Sequence, residues 1–481
     1  MAQTQLPHPT PYEKHHTISD LMNPTQVKSR EFLEQSIDDE IKSLEESIHV
    51  LKLRRNTPQP VSSLPPEIVA AIFSSLCLPG IPSLGGDWCQ NHARLNISHV
   101  CHQWREIALN QPQLWSHVNF NTVSPVGATE ILVRAKSAPL YMEIKDHDYE
   151  DGLFGLFLEE VRAHLPYICH LKISSDVFFR SLGYELQHAL VSPAPFLEYF
   201  SLFCREDEIR SRAVNHLPDI ETLRLFGGST PRLSCLKLHN CNISWKSLLF
   251  KGLKHLEILL PHKRARPTLS IWLDALKEIP QLNTLILHSA SPIAAHFPID
   301  VECTVTLPSL TLLDISASLQ DCALAIAHLV LPALTSLRLA EIHHSLPNRS
   351  TVQEFLHYVV RHVHGPQDIQ PLQSVLIRNY GSRLQLLAWP VPDIDTFVHD
   401  PPSSLGATLP TRVMLSFSSI SNDCREIFEI MMATFPLDNL LTLTAVDLDL
   451  VGNLTQLWIR LFPIGLCSGA CELGLLHHVN S

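Results

Sequence analysis

The sequence LPSLTLLDI at residues 307–315 is followed by LPALTSLRL at residues 331–339, and both share one pattern. Each has the form Pro-x-Leu-x-x-Leu-x-Leu, with conservative replacements among the apolar positions, and Pro308 and Pro332 are 24 residues apart. In a short strand, Leu-x-Leu places two side chains on one face, because alternate residues point to opposite sides. The pattern therefore predicts a strand that buries two apolar residues and a segment that leads back to the start of the next strand.

Further copies of this pattern occupy much of the chain. The spacing from Pro280 to Pro308 is 28 residues, which lies in the 20–29 range of leucine-rich repeats. Weaker copies occur near Pro371 and Pro436. The clearer upstream copies are LPYICHLKI at Leu165, APFLEYFSL at Ala194, LPDIETLRL at Leu217, TPRLSCLKL at Thr230, LKHLEIL at Leu253 and IPQLNTLIL at Ile279.

This part of the chain resembles a degenerate leucine-rich-repeat domain. The resemblance implies an α/β fold, an irregular leucine-rich-repeat solenoid over residues 165–465, with a tail at 466–481. The asparagine that the family places in the turn after the strand is matched only by Asn240 and Asn379. The 13 residues from Pro218 to Pro231 are too few for a helical return and predict an irregular turn. An α/β domain with an ordinary parallel sheet is the alternative.

The N-terminal part has a different composition. Residues 1–26 are polar, carry prolines and show no periodicity, which predicts disorder. Residues 27–56 predict an amphipathic helix, and the prolines at 58 and 60 end it. Its apolar side chains recur at steps of four and three, so it is either a short coiled coil that self-associates or a helix that packs on the next domain. They are Ile37, Ile41, Leu44, Ile48 and Leu51.

Two apolar helices are predicted in residues 61–120. The first begins at Ser63-Leu64-Pro65-Pro66-Glu67, since prolines suit a first helical turn and a carboxylate favours the positive end. The second carries apolar residues from Ile97 to Ala108, ends at Pro112 and leads into Leu114-Trp115. So small a unit has more apolar surface than it can bury in itself, which predicts that a partner helix covers part of it.

These residues resemble an F-box, the helical module that docks on the Skp adaptor of cullin-RING ubiquitin ligases. The match rests on LPPEIVAAIF and VCHQWREIALNQPQLWSHV, in that order. The segment 77–94 is longer than the usual connection between the two halves. A helix before the F-box and a leucine-rich tail after it resemble F-box proteins of mushroom-forming fungi. The resemblance implies adaptor binding by Leu64, Pro65, Pro66, Ile68, Ile72, Phe73, Val100, Trp104, Leu114 and Trp115.

The same residues allow a plainer interpretation. Ile72, Val100 and Trp104 could form a small helical core, and Pro65 and Pro66 could only start a helix. The ordered set of motifs favours a docking module over this alternative. A connecting helix and strand are predicted at 121–164, between the module and the repeats.

Composition and charge exclude several classes of protein. Lys and Arg number 36 against 48 Asp and Glu, and the net charge of −12 argues against binding to nucleic acid. The most apolar stretch, residues 322–337, is 16 residues long and contains Pro332, whereas a membrane span needs about 20. The N-terminus has no apolar stretch typical of a signal peptide. We therefore expect no membrane association and a cytoplasmic or nuclear location.

No motif for catalysis, a cofactor or a metal is present. The chain lacks the P-loop, dinucleotide-binding, nucleophile-elbow and zinc-protease patterns. Its 12 cysteines include no CxxC pair, which is typical of reduced core residues. Its 27 histidines lack ligand-like spacing. We therefore expect no catalytic, cofactor-binding or metal-binding residue.

The sequence leads to two hypotheses. The first is a non-catalytic substrate receptor of an SCF-type ubiquitin ligase, which binds the adaptor through the F-box and a target protein through exposed strand positions. The second is a leucine-rich-repeat scaffold that binds proteins and has no ubiquitin role. Candidate target-binding residues are Lys237, Arg224, Asp314 and Arg338.

Overall fold

The computed structural model divides the chain into two compact units. One unit comprises Met1–Ser83 and His92–Gln111, and the other comprises Leu84–Asn91 and Pro112–Ser481. The residues described are 24–56, 58–77, 88–146, 153–175, 186, 188–204, 225–241, 243–260, 266–294, 301, 303–332, 335–341, 349–363, 371–380, 383–390, 412–418, 424–435, 442–446 and 472–476.

The described part of the first unit is helical. It contains α1 (Pro24–Asn56), α2 (Pro66–Cys77), most of α3 (Trp88–Val100) and α4 (His102–Leu109). The predicted N-terminal helix is confirmed, although α1 begins within the segment predicted as disordered. The rest of that segment, residues 1–23, lies outside the described residues, as do residues 78–87 of the long connection.

The second helix of the module was predicted as continuous, and that prediction is wrong. Cys101 has an extended backbone (φ −156°, ψ 169°) and separates α3 from α4. The extended residue ends α3 and precedes α4, so the predicted stripe runs over two helices and not one. Ile97 on α3 and Ala108 on α4 are buried, whereas Val100, the last residue of α3, is 59% exposed.

The second unit is built on a 14-stranded open sheet. Its strand order is β1-β2-β3-β4-β5-β6-β7-β9-β11-β14-β13-β12-β15-β16, and most neighbouring pairs are parallel. The strands are β1 (His117–Asn119), β2 (Leu140–Asp146), β3 (Ile168–Ser175), β4 (Tyr199–Cys204), β5 (Cys235–His239), β6 (His255–Leu259), β7 (Thr284–His288), β9 (Leu312–Ala317), β11 (Ser336–Glu341), β12 (Ser374–Tyr380), β13 (Arg383–Trp389), β14 (Val413–Ser418), β15 (Thr442–Val446) and β16 (Glu472–Leu476).

The remaining elements are helices and one small sheet. β8 (Val305–Thr306) and β10 (Leu329–Val330) form a separate parallel pair. The helices are α5 (Pro125–Ala135), α6 (Leu153–His164), α7 (Leu269–Lys277), α8 (Leu319–Ala327), α9 (Arg349–Val363) and α10 (Cys424–Thr434). α5 and β2 confirm the helix and strand predicted between the module and the repeats.

Most copies of the leucine motif end in a strand of the large sheet. Those at 165, 194, 230, 253, 279, 307 and 331 give β3, β4, β5, β6, β7, β9 and β11, with each strand parallel to the next. For the copy at 217–225 no strand is described, and β4 pairs directly with β5. All of that copy except Leu225 lies outside the described residues. Leu225 begins a tight turn that ends at Gly228.

The sheet extends beyond the predicted repeat region at both ends. β2 pairs in parallel with β3, so residue 165 is not an edge of the sheet. β16 lies in the segment predicted as a tail and pairs with β15. β13, which the motif did not predict, pairs antiparallel with both β12 and β14. The sheet is therefore mixed, and a regular solenoid is not shown.

One of the two turn asparagines occupies the expected place. Asn240 follows β5 with a φ of 58°, and its side chain donates a hydrogen bond to the carbonyl oxygen of Cys204 (2.6 Å). Asparagine tolerates this left-handed conformation better than most residues. Asn379, in contrast, lies within β12 opposite Leu384 of β13. The prediction that Asn379 follows a strand is wrong, because β12 continues into an antiparallel pair.

In the strands from β5 to β11, the core of the second unit lies on one face of the large sheet. In β5, β6, β7, β9 and β11, the leucine or isoleucine pairs of the motif are at most 2% exposed. The preceding leucines of the turns, such as Leu233, Leu253 and Leu282, are also buried. The alternate positions of the same strands are half-buried and make up the opposite face. This alternation confirms the burial that Leu-x-Leu predicted.

Candidate functional site

Helix α2 presents two adjacent apolar stripes with different surroundings. Val69 and Phe73, one turn apart, are each 1% exposed. The neighbouring stripe contains Ile68, Ile72 and Leu76, which are 48%, 43% and 51% exposed. Residues four apart lie on the same side of a helix, so these three side chains form a continuous apolar surface strip. One stripe holds the unit together and the other is available to a partner.

The buried stripe packs against α4. The rings of Phe73 and Trp104 meet edge to face, with centroids 5.1 Å apart and planes at 62°. Aromatic pairs favour this arrangement because the positive ring edge meets the negative ring face. Ala108, one turn after Trp104, is fully buried. The structure therefore brings Phe73 and Trp104 together as a core contact, and Trp104 keeps part of its surface accessible.

The other predicted site residues of this unit remain near the surface. Pro65 and Pro66 are exposed and Leu64 is half-buried. Val100 is 59% exposed at the end of α3. Two exposed residues that the sequence did not single out, Val61 and Leu95, add to the apolar surface of the unit. Helical spacing alone gave no signal for these two.

The last two predicted site residues lie in the second unit. Leu114 and Trp115 are 2% and 0% exposed and end a short 3₁₀ turn that starts at Pro112. The guanidinium of Arg134 on α5 lies 4.6 Å from the centre of the Trp115 ring, a cation–π contact. The 3₁₀ turn packs against α5, and both side chains are core residues.

The comparison with known proteins agrees with this geometry. Residues 61–121 match the family model of the F-box-like domain. The chain carries an F-box-like domain. The matched range contains α2, α3, α4 and the 3₁₀ turn with Trp115. No curated protein and no solved structure matches the chain.

The half-buried face of the large sheet is a second candidate surface. Because β1 to β11 lie in parallel register, equivalent residues form rows across the strands. One row carries charges of both signs and includes three of the predicted target-binding residues. It runs Glu143, Lys172, Ser201, Lys237, Glu257, Ile286, Asp314 and Arg338. Arg224, the fourth predicted residue, lies outside the described residues.

Glu257 is the centre of the charged row. Its carboxylate accepts hydrogen bonds from Lys237 Nζ (2.9 Å) and from His239 Nε2 (2.8 Å), and His255 Nε2 lies 3.3 Å away. Burial favours the protonated form, but these three contacts outweigh it and hold the pKa of Glu257 well below its usual range. The charged form of Glu257 is therefore built into the sheet.

An aromatic row lies beside the charged row. His117 stacks on Tyr141 with ring centroids 4.2 Å apart, and His170 stacks on Tyr199 at 3.9 Å. Burial, together with the nearby Lys172, lowers the pKa of His170 to about 4. The sequence reasoning missed this row. Its signal was an aromatic residue or histidine directly before an inward apolar residue of a strand.

Two further features bear on the expected function. Within the described ranges, no group of three or more His, Cys, Asp or Glu side chains is arranged to hold a metal ion. None of the helices that the structure describes is both long and apolar enough to cross a bilayer.

Proposed function

We propose that this protein is a substrate receptor of an SCF-type ubiquitin ligase. The F-box-like domain supports adaptor binding of the Skp type, and the exposed stripe of α2 supports a direct role for that helix. Burying the exposed half of Ile68, Ile72 and Leu76 would contribute about 1 kcal/mol per side chain. Pro65, Val100 and the accessible part of Trp104 complete the proposed docking surface.

The proposed receptor performs no bond chemistry itself. A receptor accelerates ubiquitin transfer by holding a target lysine near the charged conjugating enzyme, which raises the effective concentration of the lysine. The requirements are therefore an adaptor-binding surface and a target-binding surface on one chain. Both candidate surfaces are exposed or half-buried in the structure.

Co-purification with a Skp adaptor tests the docking surface. We expect Ile72→Asp combined with Trp104→Ala to abolish recovery of the adaptor, because a carboxylate cannot be buried against an apolar helix without a partner. Trp104 also packs on Phe73, so a loss could reflect misfolding of the module. Ile68→Asp with Ile72→Asp changes only exposed residues and separates these explanations.

A matched control is available on α6. Leu156 is 57% exposed on a helix of the second unit, and Leu156→Asp should leave adaptor recovery unchanged. Adaptor recovery at the wild-type level from the Ile68→Asp, Ile72→Asp variant would contradict the proposal. That result would favour a scaffold without a ubiquitin role.

We also propose that the half-buried face of the sheet binds the target protein. The aromatic row and the charged row lie on this face, and Phe203 of β4 adds a side chain that is 37% exposed. Aromatic residues are enriched where interfaces bury most surface. On this proposal, the strands from β3 to β11 act as an irregular leucine-rich-repeat solenoid. The backbone supports it, because residues 234, 254, 283 and 311 each donate a hydrogen bond to the corresponding residue of the preceding repeat.

Quantitative mass spectrometry of co-purifying proteins tests the target surface. Tyr141→Ala combined with Phe203→Asp should reduce recovery of target proteins while leaving recovery of the adaptor unchanged. Val191→Asp, at a half-exposed residue outside the rows, is the control. An unchanged set of co-purifying proteins would contradict a target site on this face without affecting the docking proposal.

A further inference from the structure

Helix α1 carries an apolar stripe that its own unit does not cover. Ile37, Ile41, Leu44, Ile48 and Leu51 are between 48% and 63% exposed. The rings of His49 on α1 and His102 on α4 meet edge to face with centroids 4.6 Å apart, and His49 lies beside the stripe, not on it. An apolar stripe of this length on a surface helix is typical of a site that another helix covers.

The stripe has the spacing of a coiled-coil seam. Ile41 and Ile48 take heptad position a, and Ile37, Leu44 and Leu51 take position d. The flanking e and g positions carry charges that set the choice of partner and its direction. They are Asp38, Glu45 and Lys52 at e, with Glu40, Ser47 and Arg54 at g.

A parallel pairing of two copies is disfavoured by these charges. In a parallel dimer, each g residue faces the e residue five positions later in the partner. Glu40 would then face the partner's Glu45, which places like charges together twice. Ser47 would face the partner's Lys52. No pair of opposite charges results between residues 40 and 52.

An antiparallel pairing places opposite charges together. With Ile41 opposite the partner's Leu51, and Leu44 opposite the partner's Ile48, the seam contains four apolar layers. At the flanks, Asp38 faces the partner's Lys52. Glu40 faces the partner's Arg54. By symmetry these two attractive pairs each occur twice, and the only like-charged pair at the flanks between residues 38 and 54 is Glu45 with its own copy.

We propose that α1 binds a second copy of this chain as an antiparallel two-helix coiled coil over residues 37–55. The charges favour a second copy of α1 as the partner, because the acidic first half of the stripe faces the basic second half of the same sequence. The α1 dimer goes beyond the proposed adaptor docking and uses none of its residues. Each dimer would carry two F-box-like domains.

Sedimentation equilibrium of the full chain tests the dimer. We expect a dimer whose dissociation constant rises at least tenfold for Leu44→Glu combined with Ile48→Glu. Val50→Glu is the matched control, because Val50 is 48% exposed but lies at position c, away from the seam. A wild-type chain that stays monomeric at about 50 µM, a concentration that would populate even a weak dimer, would overturn the proposal. Equal weakening by Val50→Glu would overturn it as well.

A charge swap tests the direction of the helices. Lys52→Glu with Arg54→Glu should weaken the dimer, and adding Asp38→Lys with Glu40→Lys should restore it. In a parallel dimer, residues 52 and 54 face no acidic residue of the partner, so the first change would create no like-charged pair. Failure of the second change to restore the dimer would overturn the antiparallel register.

Cross-linking gives an independent check of the register. Ser47 faces its own copy across the antiparallel axis, so Ser47→Cys should form an intermolecular disulfide between identical peptides under mild oxidation. Ser43→Cys, at the outer position c, should not. Adaptor recovery by these variants should match the wild type, so failure of the dimer and failure of adaptor docking give different results.

Discussion

At the residue scale, Glu257 joins two neighbouring strands of the large sheet through a half-buried cluster of charged and polar side chains. Its side chain is only 13% exposed and accepts contacts from Lys237, His239 and His255. Each contact comes from β5 or β6, so the cluster fixes these two strands against one another. A charged cluster of this kind also gives the candidate target surface a defined pattern of charge.

Replacing Glu257 by glutamine should destabilise the second unit by about 1–3 kcal/mol, because charge-assisted hydrogen bonds are lost in a half-buried site. The depressed pKa of Glu257 makes this contribution complete above the ordinary glutamate pKa of about 4.3. The contribution is lost as the pH falls below that value. Urea unfolding of both forms should therefore show a difference at pH 7 that shrinks toward pH 3. A constant difference would contradict the role of the charge.

His170 gives the opposite case, a base that the fold keeps neutral. Its pKa of about 4 lies below the ordinary histidine value of about 6.5. Between these two pH values, the unfolded chain therefore binds one proton more than the folded chain. As the pH is lowered from 6.5 to 4, the free energy of unfolding of the wild type should fall relative to that of His170→Phe. This variant keeps an aromatic ring between Tyr141 and Tyr199. An NMR titration of His170 should have its midpoint near pH 4. A midpoint near 6.5 would show that the stack does not exclude water.

At the element scale, a buried ion pair anchors the start of α8. Asp321 is 4% exposed, accepts a hydrogen bond from Arg266 (2.8 Å), and also accepts from the backbone N–H of Ala294 (2.8 Å). Ser318 caps the same helix by accepting from the backbone N–H of Asp321. The carboxylate therefore joins three segments of the chain.

Asp321→Ala should destabilise the second unit by about 3 kcal/mol, because it leaves Arg266 largely buried without its partner. Asp274→Ala is the control. Asp274 pairs with Lys277 on the surface of α7, and its loss should cost less than about 0.5 kcal/mol. Denaturant unfolding measures both values. Similar costs for the two variants would contradict the difference in burial as the cause.

The elements that could be predicted from the sequence are those set by local periodicity. Leu-x-Leu predicted β9 and β11, and the four-three spacing predicted α1, because each pattern determines which side of its own element is apolar. The antiparallel strand β13 could not be predicted, since its pairing depends on residues distant in the sequence. The break at Cys101 was missed because the apolar spacing continues through it.

The sequence predicted where the candidate site lies but not which of its apolar residues are exposed. The ordered motifs identified the region of the F-box-like domain correctly. Ile68 and Val69 are neighbours with the same chemistry, yet one is 48% and the other 1% exposed. Helical spacing cannot separate two adjacent apolar stripes, because the choice depends on where α4 packs. The aromatic row was missed for the same reason, since it exists only when strands are aligned.

At the scale of the whole molecule, two units have separate tasks on this account. We propose the exposed stripe of α2 in the helical unit for an adaptor and the half-buried face of the sheet unit for a target. The F-box-like match at residues 61–121 includes residues of both units, because Leu114 and Trp115 are buried residues of the second unit.

Calorimetric titration of the full chain with a recombinant Skp adaptor measures the proposed docking itself. We expect binding with one adaptor per chain for the wild type and for Leu156→Asp. We expect an affinity at least 100-fold weaker, about 2.7 kcal/mol, for Ile68→Asp with Ile72→Asp. Equal affinity of all three proteins, or no binding by the wild type, would contradict the claim that the exposed stripe of α2 docks the adaptor.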